Sequence, residues 1–113
     1  MTNPSKRKGT AWESAVRDWL NARFTRLRIE RIPAGATHDR GDLTGLPGIA
    51  LEAKSVARID LATIVDEACR EAANVGPDTL PLAVIKRRGR GPHDAYAVMP
   101  LDAWTALYER TLP

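Results

Sequence analysis

The sequence predicts an α/β fold, a mixed β-sheet flanked by helices in the order αβββαββα. Three observations predict it. Apolar residues recur at helical spacing near both ends and in the middle of the chain. Alternating or short apolar runs fill the stretches between them. Gly and Pro punctuate the joins. The chain has 113 residues, enough for one domain with one modest core. Its apolar fraction of 43 % and charged fraction of 27 % are those of a soluble globular protein. Residues 1–8 read as a flexible basic arm and 9–113 as a single folded domain.

Residues 10–24 predict a helix, because Trp12, Ala15, Val16, Trp19, Leu20 and Phe24 recur on one face. Thr10 is placed to cap it, with Glu13 as the capping-box partner. LRIERI (27–32) alternates like a half-buried strand, and PAGATHDRG (33–41) is a loop. A short strand near Asp42–Gly45 and a third at Ile49–Lys54 flank the turn Leu46-Pro47-Gly48. A second helix over 60–75 presents Leu61, Ile64, Val65, Ala68, Ala72 and Val75, and Gly76-Pro77 stops it. LPLAVIKRR (80–88) is a buried strand with a basic exit, and GRGPHD is a loop. AYAVM (95–99) is the last strand. Pro100 opens a C-terminal helix striped by Leu101, Trp104, Leu107 and Tyr108. Trp12, Trp19 and Trp104 all fall on such stripes, which predicts core positions for them.

Net charge is +3, with 17 Lys and Arg against 14 Asp and Glu, and the pI is about 9.4. The basic residues gather at Lys6-Arg7-Lys8, at Arg23, Arg26, Arg28 and Arg31, and at Lys86-Arg87-Arg88 with Arg90. Most are arginine, which suits forked phosphate contacts, so a polyanionic partner is expected, nucleic acid first. The alternative is a set of solvated helix ends and loops. Cys69 is the only cysteine, which excludes an intrachain disulfide and a zinc site of several thiolates. No apolar run reaches the roughly 20 residues of a membrane span, and no apolar stretch follows the basic N-terminus, so no membrane role is expected.

The charged residues of the third strand are the candidate site. Side chains of a strand alternate faces, so Glu52 and Lys54 share one face, roughly 7 Å apart along the strand. A tight turn joins this strand to the previous one, so the two are expected to pair antiparallel, with Asp42 approaching Glu52 across the ladder. Two carboxylates and a strand carbonyl make an oxygen-rich site for Mg²⁺. Such a metal lowers the pKa of a bound water and neutralises phosphate charge, and a neighbouring lysine assists. The alternative is a cross-strand ion pair on a solvated sheet face. Glu13 falls within the apolar face of its helix and needs a partner there. Arg17, the Thr10 capping box, or a metal shared with Asp42 and Glu52 would each satisfy it.

Asp42 followed by Glu52-Ala53-Lys54 resembles the PD-(D/E)xK nuclease motif. KRKGTAWESAVRDWL is similar to the N-terminal signature of the archaeal-type Holliday junction resolvases, a basic K-G segment leading into a helix that bears a glutamate. RIPAG, LPLAVIKRR and AYAVMPLD resemble the later segments of that family, so the resemblance spans most of residues 6–102. It implies a restriction-endonuclease-like core and an endonuclease that cuts branched DNA with Mg²⁺ or Mn²⁺ as a homodimer. It further implies that Glu13, Asp42 and Glu52 are the metal carboxylates, the Ala53 carbonyl a further ligand, and Lys54 the catalytic lysine. A cytoplasmic setting, in a prokaryotic or phage-infected cell, goes with it. A restriction-like or repair nuclease on the same core is the near alternative, and a non-catalytic nucleic-acid-binding module the distant one. Gly41 stands where the motif commonly has proline, and Thr37 is the only hydroxyl near the place of a family serine. His38, Arg40 and Thr37 lie in the loop before Asp42 and are candidates for contact with the DNA backbone. Lys6, Arg7, Lys8, Lys86, Arg87, Arg88 and Arg90 are the others.

Overall fold

A computed structural model describes residues 4–33 and 41–113. Thr37, His38 and Arg40 lie outside the described residues, as does the side chain of Lys6.

The element order is α1 (Pro4–Arg23), β1 (Glu30–Arg31), β2 (Leu43–Thr44), β3 (Ile49–Lys54), α2 (Leu61–Val75), β4 (Leu80–Ile85), β5 (Tyr96–Val98) and α3 (Leu101–Glu109). A 3-10 turn at Pro92–Asp94 precedes β5. The strands form one mixed five-stranded sheet in spatial order β1-β2-β3-β4-β5. β3 and β4 are parallel, which requires a crossover, and α2 supplies it. Every other pair is antiparallel. No helix is long and apolar enough to cross a membrane among the described residues.

The ladder registers sort the side chains by face. Leu51 pairs Leu43 on one side and Leu82 on the other, and these pack with Trp12 and Val16 of α1. Glu52 pairs Ala83 and Lys54 pairs Ile85, and that face meets Ile64 and Ala68 of α2. Thus β3 lies between two helices and is buried from Ala50 to Ala53. The Trp12 indole donates to the Val84 carbonyl at 3.2 Å, which fixes α1 against β4. Asp60 caps α2, accepting the Thr63 amide at 3.2 Å.

Three expectations are corrected. The first helix starts at Pro4, so Lys8 belongs to it and Thr10 lies inside it, where it cannot act as N-cap. Proline suits such a start because its missing N–H would have no partner there anyway. The strand predicted over 27–32 shrinks to Glu30–Arg31. The reason is Asn21, whose carboxamide donates to the Ile29 carbonyl and accepts its amide, both at 2.9 Å. A side chain therefore stands in for a partner strand. Finally, only Trp12 is buried. Trp19 is half-exposed, and α3 turns Leu101, Trp104 and Tyr108 outward, burying only Ala103.

Asn21→Ala should be destabilising. It would leave both polar groups of the buried Ile29 backbone unpaired, at about 1–3 kcal/mol for each group so stranded. Urea denaturation should show a lower midpoint with an unchanged slope.

Candidate metal and phosphate site

The sequence placed Asp42 and Glu52 across one ladder, and the structure does so. Leu43 pairs Leu51, so the antiparallel register sets Asp42 opposite Glu52. The Asp42 amide donates to the Leu51 carbonyl at 2.8 Å. The Asp42 carboxylate in turn accepts the Ala53 amide at 2.8 Å. β2 has stopped pairing there, and a side chain takes over the ladder bond. The Lys54 carbonyl accepts the Lys86 amide on the β4 side. Backbone groups alternate sides along a strand, so the Ala53 carbonyl faces the Asp42 side.

Gly41 makes this geometry possible. Its φ is +98°, and a Cβ there would stand 2.7 Å from the Leu51 carbonyl oxygen. Proline, fixed near −65°, cannot adopt that backbone. Glycine at this position is thus a requirement of the chain's own turn into β2.

The side chains gather tightly. Glu52 is 4 % exposed, and its Oε2 is buried with no hydrogen-bond partner. Its Oε1 lies 3.3 Å from the Lys54 ammonium, as their shared face predicts. Lys54 also pairs with Glu67 of α2 at 3.1 Å. Carboxylate oxygens of Glu52, Glu67 and Glu71 fall within 4.8 Å of one another. Burial, then the Glu52 charge, push the Asp42 carboxyl up to about 8. The Ala53 amide opposes this and the Glu13 carboxylate adds to it. Burial pulls the Lys54 pKa down, but the Glu67 hydrogen bond and the Glu52 and Glu67 charges outweigh it. The net shift is upward, so Lys54 is an ammonium at neutral pH and cannot serve as a base.

Glu13 does not use either local partner that the sequence offered. Arg17 pairs with Asp18 at 2.9 Å, and the Thr10 capping box is not formed. Glu13 instead meets Arg31 at 3.3 Å and borders Asp42.

Of the basic candidates, Lys8, Lys86 and Arg88 line one cleft of about 290 Å³ together with Ser55, Val56, Ala57 and Gly89. The cleft begins one residue beyond Lys54. Lys86 lies 5.8 Å over the Trp12 ring and Arg87 5.2 Å over the Tyr96 ring. Among the described residues no carboxylate pairs with Lys8, Lys86 or Arg88. Arg90 pairs with Asp94 at 3.1 Å and is less free to bind a ligand. Arg7 is exposed on the first turns of α1.

Sequence reasoning missed Glu67, Glu71 and the Arg31 pairing. A marginal signal was present for Glu71 alone. With Ile64 as zero on a wheel of about 100° per residue, the rest of the apolar stripe runs on to Val65 near 100°, and Glu71 falls near −20°, at the stripe's edge beside Ile64. A carboxylate in that position needs a partner, as Glu13 did.

The oxygen-only donor set fits a hard divalent cation. The orphaned Glu52 oxygen and the proton affinity of Asp42 both mark a place where positive charge is wanted. Linkage gives a check independent of activity. Asp42 ionises at 3.8 when unfolded and at about 8 when folded. Below 3.8 both states hold the proton and there is no penalty. Between 3.8 and about 8 only the unfolded chain releases it, so this group makes metal-free stability fall as pH rises. Asp42→Asn should therefore raise the melting temperature at pH 8 and change it little near pH 4. Added Mg²⁺ should stabilise the wild type and lose that effect in Asp42→Asn. Thermal melts across pH, with and without Mg²⁺, test both.

Compared with protein-family models, curated proteins and solved structures, the chain matches none of them, so its functional reading rests on the geometry of this site.

Proposed function

We propose that the protein is a Mg²⁺-dependent endodeoxyribonuclease with a restriction-endonuclease-like core, a Holliday junction resolvase acting on branched DNA as a homodimer. The observation that carries this reading is the pairing of Asp42 with Glu52 across β2 and β3. The Glu52 oxygen there is buried without a partner, and an ammonium lies on the same strand face.

Asp42, Glu52 and the Ala53 carbonyl would hold the metal, Mg²⁺ or Mn²⁺. When bound, it supplies a lowered pKa for an attacking water and neutralises charge on the phosphate. The chain's residues do the rest. Lys54, held as an ammonium, offers positive charge to the phosphate oxygens as negative charge develops on them. Glu13, gripped by Arg31, keeps a carboxylate beside Asp42 without itself taking a free position. Lys8, Lys86 and Arg88 bind the neighbouring phosphodiester backbone without reading bases. Paired cuts in a junction need two such sites, and the outward apolar residues of α3 are surface that a second copy could cover.

A direct assay uses synthetic four-way junctions and linear duplex, with and without Mg²⁺, for wild type and Glu52→Ala. Paired nicks in the junction alone, dependent on metal and absent in the variant, are the expected result. Cutting of linear duplex or flaps would move the reading to a restriction-like or repair nuclease. Tight binding with no cutting under any metal would leave a binding module only. Separately, Lys86→Ala and Arg88→Ala should weaken DNA binding similarly for all sequences. Each should also flatten the slope of log affinity against log salt by about 1.

A further inference from the structure

We infer that Glu67 is the positioning residue for Lys54, so that the lysine acts as a unit with a carboxylate delivered from the opposite layer of the fold. The inference rests on the nuclease reading above and deepens it.

Lys54 has two carboxylate neighbours, Glu67 at 3.1 Å and Glu52 at 3.3 Å. They are not equivalent. Glu52 belongs to the proposed metal set, so a bound cation competes with Lys54 for its charge. Glu67 lies outside that set. It comes from α2, and although its carboxylate lies within 4.8 Å of those of Glu52 and Glu71, it makes the shorter contact to the lysine. A lysine carries its charge on a flexible four-carbon stem, and within β3 only Glu52, whose charge a cation would also draw, meets it. Glu67 supplies the missing constraint from a rigid element. α2 is capped by Asp60 and packed through Ile64 and Ala68 against Ala83 and Ile85, next to Glu52 and Lys54 on the same sheet face. Both partners are about a quarter exposed, so the pair borders solvent. Glu71, one turn further and 2 % exposed, keeps its carboxylate within 4.8 Å of the other two. It adds negative potential behind the ammonium and favours its retention there.

The test is Glu67→Gln in the full chain, with Glu67→Asp as the conservative variant. Four readouts are taken: steady-state cleavage of whichever DNA the wild type cuts, Mn²⁺ affinity by calorimetry, melting temperature, and the ¹⁵N-lysine ammonium spectrum. The chain's lysines are Lys6, Lys8, Lys54 and Lys86, so a slowly exchanging Lys54 signal can be assigned by Lys54→Arg. In Glu67→Gln, kcat should fall about tenfold to a hundredfold, the range typical of supporting carboxylates. KM, Mn²⁺ affinity and the melting temperature should hold, and the ordered Lys54 signal should broaden or vanish. Glu67→Asp should restore part of kcat and of the signal. An unchanged kcat in a folded Glu67→Gln overturns the inference. So does a parallel loss of Mn²⁺ affinity, which would make Glu67 a metal ligand. If Glu67→Gln fails to fold, a full loss of kcat in a folded Glu67→Asp with its Lys54 signal intact overturns it equally. A wild type that cuts no DNA removes the nuclease reading first, and this inference with it.

Discussion

The structure turns on one constraint: β3 is buried on both faces and still carries a carboxylate. Helices cover the sheet on either side, so Glu52 has little solvent to meet. A buried charge must find opposite charge or hydrogen-bond donors. Lys54 answers first, from the same face of the same strand. It does so incompletely, since one Glu52 oxygen stays unmatched and further carboxylates crowd in from β2 and α2. Acidic groups thus converge in a chain whose net charge is +3. That concentration serves no purpose in packing. A hydrophobic residue at position 52 would satisfy the sandwich better, and this is what favours the proposed metal site over a purely architectural role.

Much of this was legible in the sequence because strand geometry is strict. A period of two fixes which side chains share a face, so Glu52 and Lys54 could be paired without coordinates. A two-strand turn fixes the ladder, so Asp42 could be set opposite Glu52. β3 itself, Ile49–Lys54, has the bounds the pattern predicts. What escaped was decided by side chains reaching across sequence. The Asn21 carboxamide occupies the Ile29 backbone and shortens β1, although LRIERI alternates along its whole length. Pro4 starts α1 ahead of a residue that looks like a cap, because a capping signal does not exclude an earlier start. Trp104 sits on a helical stripe, but the stripe faces outward, and periodicity gives a face without saying what covers it. Glu67 and Glu71 fall beside the apolar stripe of α2 and not within it, so helical spacing alone does not distinguish them from the polar flank of an amphipathic helix.

Charge then divides the surface around the site. β3 and β4 run parallel and end together, joined at the last rung by the Lys86 amide and the Lys54 carbonyl. Past that rung β3 leaves through Ser55–Ala57 and β4 through Lys86–Arg90. The two exits form the walls of the basic cleft. The acidic cluster lies before the rung and the basic cleft after it. Parallel pairing makes this possible, since antiparallel neighbours would have sent the second exit to the other end of the sheet.

Trp12 connects that arrangement to the core. Its indole N–H is bonded to Val84 in β4, its body fills the α1 face, and its ring lies beneath the Lys86 ammonium. One side chain therefore sets the distance between helix and sheet and supports a cation at the mouth of the cleft. α1 brings Lys8 to the same cleft and, a little further along, Glu13 toward Asp42. A residue two turns into the helix thus fixes the positions of both a cation and a carboxylate on it. The α1–sheet contact is accordingly what holds the negative and positive halves of the site at a constant spacing. For a ligand whose phosphates repeat at a fixed interval, that spacing matters more than the strength of any single contact.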